Sequence, residues 1–203
     1  MRESARGNRT NAAAAPRLLL MALPPPTWVE GTLRRLVQLE VPQRLGSRLF
    51  VPENWHQSFS ERIYSPSARD KDALSKLGKT LSAHACTLHF NRVEGPRAGA
   101  DRAHCTLRAR GVPKAFSSLL RQVRQGLVHA GYEGIATGVT PHMTLSYNAS
   151  DAFDTLALDP PIAWTIDELC LVVGGGDPYR YEVIDRWPLL PEIDPPVAQP
   201  GLF

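Results

Sequence analysis

Apolar and polar positions alternate along the chain in short segments of two different periods. Residues 18–23 form an apolar run of strand length, closed by prolines at 24 to 26. Behind them Trp28, Leu33, Leu36 and Val37 fall on one helical face, and a proline-led start suits a helix because its first turn needs no amide donor. A segment through Phe50 and Val51 then reaches Trp55-His56-Gln57-Ser58-Phe59. The same order returns later. Residues 105–109 read as a strand, Gly111-Val112-Pro113 follows, and Phe116, Leu119, Leu120, Val123 and Leu127 recur at helical spacing before Pro141-His142-Met143-Thr144-Leu145. Leu18 precedes His56 by 38 residues and Cys105 precedes His142 by 37. A repeat of that size predicts two duplicated lobes related by a pseudo-twofold axis.

Between and after the repeats, Leu74, Leu77 and Leu81 predict a helix over residues 69–84. Strands are expected at 86–92, 166–173 and 181–187, with Gly174-Gly175-Gly176 as a turn. Five prolines in residues 188–203 mark an extended C-terminal tail. Residues 1–16 are rich in Arg, Asn and Ala without apolar period, which predicts a disordered tail, with a transit peptide as the alternative. The folded domain is therefore expected over 17–190, with tails at 1–16 and 191–203.

Composition narrows the setting. A chain of 203 residues, 43% hydrophobic, suits one domain, and no apolar run is long enough to span a membrane. Cys86, Cys105 and Cys170 are an odd number, two of them in apolar strands, which points to reduced thiols and a cytoplasmic protein. Residues 1–17 carry four arginines against one glutamate, equal to the whole formal charge of +3, so the folded part is near neutral. Such a body offers no basic stripe for long nucleic acid, and an RNA partner would be gripped at its end.

Strand alternation puts His56, Ser58 and Ser60 on one face, with Gln57 and Phe59 on the other. It likewise groups His142, Thr144 and Ser146 against an apolar face of Met143, Leu145 and Tyr147. An imidazole beside a hydroxyl, present twice, suits in-line hydrolysis of a cyclic phosphodiester. One histidine takes the proton of water, the other protonates the leaving oxygen, and the hydroxyls hold the non-bridging oxygens. A third string, His104-Cys105-Thr106-Leu107, falls on the opening strand of the second repeat; His104 and Arg108 are candidate substrate contacts there. Trp28, Trp55 and Trp164 read first as core aromatics; Trp55, beside His56, is a further candidate contact, by stacking on a terminal base. The histidines lack metal-ligand spacing, and no metal or cofactor is expected.

These motifs resemble those of the two-histidine phosphoesterases, in particular the 2′-5′ RNA ligase or RNA 2′,3′-cyclic phosphodiesterase family. The resemblance runs over residues 17–190. It is carried by the stretch from Val51 through His56, by Thr140-Pro141-His142-Met143-Thr144-Leu145, and by Tyr181-Glu182-Val183-Ile184. It implies a bilobal α+β fold whose antiparallel sheets line a central cleft with helices outside. It also implies metal-independent opening of a 2′,3′-cyclic phosphate to a 2′-phosphate, which some members run in reverse as 2′-5′ ligation. His56 would be proton donor, His142 proton acceptor, and Ser58 and Thr144 phosphate-binding. The first motif departs from the family pattern, with serine for threonine and phenylalanine for leucine. Two other readings stay open: another cyclic phosphate as substrate (a cyclic oligonucleotide or ADP-ribose cyclic phosphate), or a non-catalytic module that binds RNA ends. Both catalytic halves lie in one chain, which predicts a monomer.

Overall fold

The computed structural model describes residues 14–96, 103–149 and 154–193. Strand β1 (Ala14–Ala22) is followed by α1 (Pro26–Gln38), the short α2 (Val41–Leu45), two 3-10 turns, and the two-residue strands β2 (Gln57–Ser58) and β3 (Ile63–Tyr64). Next come α3 (Ala68–Lys79), β4 (Cys86–Glu94), β5 (Cys105–Ala109) and α4 (Lys114–His129). The chain closes through β6 (His142–Ser146), β7 (Leu156–Ile166), β8 (Glu168–Gly176) and β9 (Arg180–Pro188).

Two antiparallel sheets result. One runs β2–β1–β8–β9, with β3 also paired to β1; the other runs β6–β5–β4–β7. The predicted repeat is present in the topology. In each sheet a histidine-motif strand or its continuation lies at the edge, beside the opening strand of its own repeat, with two further strands beyond. The lobes are not contiguous in sequence, because β7 joins the second sheet and β8 and β9 return to the first.

Alternation along β1 splits its side chains. Leu18, Leu20 and Ala22 enter a main core with Leu88, Phe90, Leu107, Met143 and Leu145 of the second sheet, while Leu19 and Met21 join Cys170 and Val172 in a small second cluster. Helix α1 follows the first sheet in sequence but latches onto the second. Trp28 Nε1 donates to the Ala163 carbonyl at 2.7 Å, and its ring lies 5.7 Å from Phe90 and 5.5 Å from Trp164. All three cysteines are buried and unbridged, and burial pushes their thiols up to about 12.

Several expectations are corrected. Helix α3 starts at a capping box between Ser67 and Asp70 and ends at Lys79, because the Thr80 hydroxyl takes the Leu77 carbonyl at 2.8 Å; Leu81 therefore lies outside it. Strand β7 is absent from the sequence expectations, and Pro160 and Pro161 argue against a strand there. It is an edge strand paired only to β4, where missing amide donors are tolerated. Ile166 accordingly ends β7, and β8 begins at Glu168. Gly174-Gly175-Gly176 is no turn but the end of β8. At the C-terminus, Leu190 bridges His84, and Glu192 accepts from the Thr87 amide at 2.7 Å and hydroxyl at 2.9 Å, so the chain stays docked past residue 190. Ala14–Pro16, assigned to the N-terminal tail, open β1; the rest of both expected tails, 1–13 and 194–203, lies outside the described residues.

Candidate active site

The two imidazoles are held in the same way. His56 Nδ1 lies 2.8 Å from the Asn54 carbonyl, and His142 Nδ1 lies 2.8 Å from the Thr140 carbonyl, in each case the residue two positions upstream. A carbonyl only accepts, so each Nδ1 carries the proton and each Nε2 is left for a ligand. Tyr181 adds a hydroxyl 3.2 Å from His56 Nδ1 and a ring at 5.3 Å, edge-on. Burial lowers the His56 pKa to about 4, with nearby Arg62 and His142 adding to the depression against the Asn54 carbonyl. His142 is lowered as well, again chiefly by burial, with Arg108 and His104 contributing. Both imidazoles are therefore neutral at neutral pH in the free protein.

Gln57 brings the motifs together. Its side chain, fully buried, donates through Nε2 to the Ser58 carbonyl and accepts the backbone N–H of His142 at 2.8 Å. A second tie runs from the Phe50 amide to the Leu145 carbonyl at 2.8 Å, so the segment carrying the first motif covers the free edge of β6. Alternation correctly turns Gln57 away from the face of His56, but its task needs a partner 85 residues on, and no local signal reveals that.

On the second sheet, β5 pairs Arg108 with His142 and Thr106 with Thr144. Arg108 Nε lies 3.1 Å from the Thr106 hydroxyl and 3.2 Å from Glu94, and its Nη1 reaches Thr140 Oγ1 at 3.1 Å. His104 packs 5.0 Å from the Tyr147 ring. His104, Arg108 and Thr144 thus gather around His142, while half-buried Ser58 follows His56 on β2.

Three expectations about faces fail. Ser60 is 2% exposed and accepts from the Leu20 amide at 3.0 Å, because β2 ends at Ser58 and the chain turns into the core. A register shift between Cys105 and Thr106 leaves Leu145 as an extra residue on β6. The alternation flips there, burying Ser146 and exposing Tyr147, whose hydroxyl accepts from Arg62 Nη2 at 2.7 Å. Trp55 is 1% exposed and belongs to the core, as its first reading has it, and it offers no face for a base. Asn54, Gln57, Arg62, Tyr147 and Tyr181 are the neighbours of the motifs that the sequence reading does not assign to the site.

Among the described residues no group of three or more His, Cys, Asp or Glu side chains is gathered as a metal site, and no helix is long and apolar enough to cross a membrane.

The family model of the 2′-5′ RNA ligase superfamily matches residues 48–178, which include both histidine motifs. No curated protein matches the sequence. Among solved structures, LigT of E. coli in its apo form is 20% identical with a TM-score of 0.69, over 87% of this chain and 99% of that one. A structure described as a phosphoesterase is 21% identical with a TM-score of 0.69, over 86% and 98%. The protein TT0787 of Thermus thermophilus is 16% identical with a TM-score of 0.64, over 87% and 99%. LigT of E. coli has also been crystallised with phosphate, ATP, 3′-AMP and NADP+.

Proposed function

The chain belongs to the 2′-5′ RNA ligase superfamily of two-histidine phosphoesterases, and from that premise we propose that it hydrolyses a 2′,3′-cyclic phosphate at an RNA end to a 2′-phosphate. The observation that carries this reading is the duplicated setting of His56 and His142. Each is oriented by a carbonyl two residues upstream and followed two residues on by a hydroxyl side chain. Nucleotide ligands of LigT from E. coli favour a nucleotide here too.

In the proposed reaction His142 Nε2 takes a proton from water as its oxygen attacks phosphorus opposite O3′. The P–O3′ bond breaks, and His56 Nε2–H protonates the departing oxygen, leaving a 2′-phosphomonoester and a free 3′ hydroxyl. Ser58 and Thr144 hydrogen-bond the phosphoryl oxygens, where negative charge accumulates. His56 is neutral in the free protein, so its proton arrives with the substrate: an anionic phosphate between the imidazoles offsets the cost of burying an imidazolium. One chain carries both halves of this machinery, and the monomer is the proposed catalytic unit.

The test is hydrolysis of a short RNA ending in a 2′,3′-cyclic phosphate, with EDTA present. Wild type should yield the 2′-phosphate, and His56→Ala or His142→Ala should each lower kcat by about 10²–10⁴. Calorimetry in buffers of different ionisation enthalpy should show proton uptake at pH 7 when the 2′-phosphate product binds, reduced in His56→Ala. A folded protein that binds the oligonucleotide without turning it over refutes the hydrolase reading. Turnover confined to other cyclic phosphates refutes the RNA-end substrate.

A further inference from the structure

A cavity of about 540 Å³ opens beside His56. Three arginines line it, Arg17, Arg48 and Arg62, and no carboxylate is among the described residues that line it. In a chain of net charge +3, that is a local concentration of positive charge. Phe50, Tyr147, Tyr179 and Tyr181 add four aromatic rings to its wall.

Arg17 is the telling member. Its guanidinium carbon lies 5.5 Å from the Tyr64 ring centroid and 5.9 Å from that of Tyr179, and its Nε is buried with no hydrogen-bond partner among the described residues. Ring faces hold a guanidinium in place without neutralising it, so an oriented cation is left facing the cavity. Arg62 is fixed in a similar way, over the Tyr147 ring at 5.8 Å and bonded to its hydroxyl. Between Arg17 and His56 stand two rings in succession. Tyr179 is 5.6 Å from Tyr181, which is 5.3 Å from His56. That separation places Arg17 beyond the phosphate that His56 would serve.

We propose that this cavity is a subsite for a second phosphate and the nucleoside that links it to the first. The substrate then carries a further phosphate beyond the cyclic one. Arg17 and Arg62 bind that phosphate, and the edge-to-face pair of Phe50 and Tyr147, 4.9 Å apart, gives the nucleoside an apolar wall. The inference rests on the cyclic phosphodiesterase reading and deepens it. The same chemistry occurs in the last phosphodiester of an RNA and in the pyrophosphate of a small nucleotide.

Calorimetry with adenosine 2′-monophosphate and adenosine 2′,5′-bisphosphate tests the inference on the intact protein. The bisphosphate should bind tighter by on the order of tenfold or more, an advantage that salt erodes. Arg17→Met should bring the ratio of the two affinities near unity, and Arg62→Met is the second variant, each checked for a native melting transition. Equal affinity for the two ligands in wild type, or an unchanged ratio in both folded variants, overturns the subsite. So does binding of neither ligand; turnover of adenosine 2′,3′-cyclic phosphate by the same preparation then decides whether the phosphodiesterase reading falls too. Two larger ligands identify the source. Tighter binding of the dinucleotide ApA bearing a 2′-phosphate supports an RNA end, and tighter binding of adenosine 2′-phosphate 5′-diphosphate supports a pyrophosphate nucleotide.

Discussion

Gln57 lies next to one catalytic candidate and holds the backbone of the other, so its side chain sets where His142 stands relative to His56. Replacing it by leucine leaves the His142 amide and the Ser58 carbonyl without their partner, a cost of about 1–3 kcal/mol per unsatisfied group. Gln57→Leu should lower thermal stability and also lower kcat more than it raises KM, because the displaced group is the proposed proton acceptor of the chemical step. Gln57→Glu separates positioning from packing. When protonated, its carboxylic acid matches the amide and both hydrogen bonds survive. Its activity relative to wild type should therefore recover as pH falls through the raised pKa of a buried carboxyl, and a flat ratio across pH would contradict the positioning role. That His56 and His142 are the candidate pair is readable from their repeated contexts. The i−2 carbonyl bonds, and the polar partners Asn54 and Tyr181 around His56, require the folded backbone.

At the level of elements, the glycines ending β8 illustrate how a correct composition signal can be misplaced. Glycine clusters usually mark turns, which is the expectation from sequence. Here the missing side chain makes room instead: a Cβ on Gly174 would collide with the Tyr179 hydroxyl and the Tyr181 ring. Both tyrosines belong to the wall between Arg17 and His56. Gly174→Ala should leave the circular dichroism spectrum native while lowering cyclic-phosphate turnover by roughly tenfold or more, since a displacement of about 1 Å is costly in a catalytic site. Wild-type turnover in the variant would show that the glycine does not set the aromatic wall. The bulge at Leu145 has a comparable effect on β6. Period-two alternation is reliable only while the ladder is regular, and one extra residue exchanges the faces of Ser146 and Tyr147.

For the whole molecule, the single main core and the latch of α1 onto β7 join the two sheets into one cooperative unit. Unfolding should be a single transition with coincident fluorescence and circular dichroism, and its pH dependence should report His56. The folded pKa of about 4 lies below the ordinary histidine value of 6.5 that applies to the unfolded chain. Between those values the unfolded state binds a proton that the folded state refuses. The resulting stabilisation is present in full above pH 6.5 and is lost as pH falls towards 4, by on the order of 2–3 kcal/mol. His142 shifts in the same direction and adds to the slope. His56→Gln should flatten the curve in that window, measured by urea unfolding from pH 4 to 7; an unchanged slope would mean that His56 is not protected from protonation in the folded protein.

The sequence by itself determined what is local or repeated: the strand-helix openings, the two histidines with their hydroxyl neighbours, the α+β class and the apolar setting of two of the three cysteines. These depend on periodicity and residue chemistry within a few positions, and each repeat corroborated the other. Tertiary structure alone decided which sheet each late strand joined, that Trp55 and Ser60 face inward, that Gln57 reaches His142, and that Arg17 lines the same cavity as His56. Those outcomes depend on strand register, on an edge that tolerates prolines, on one bulge and on contacts between residues far apart in the chain, and no window of sequence contains both partners.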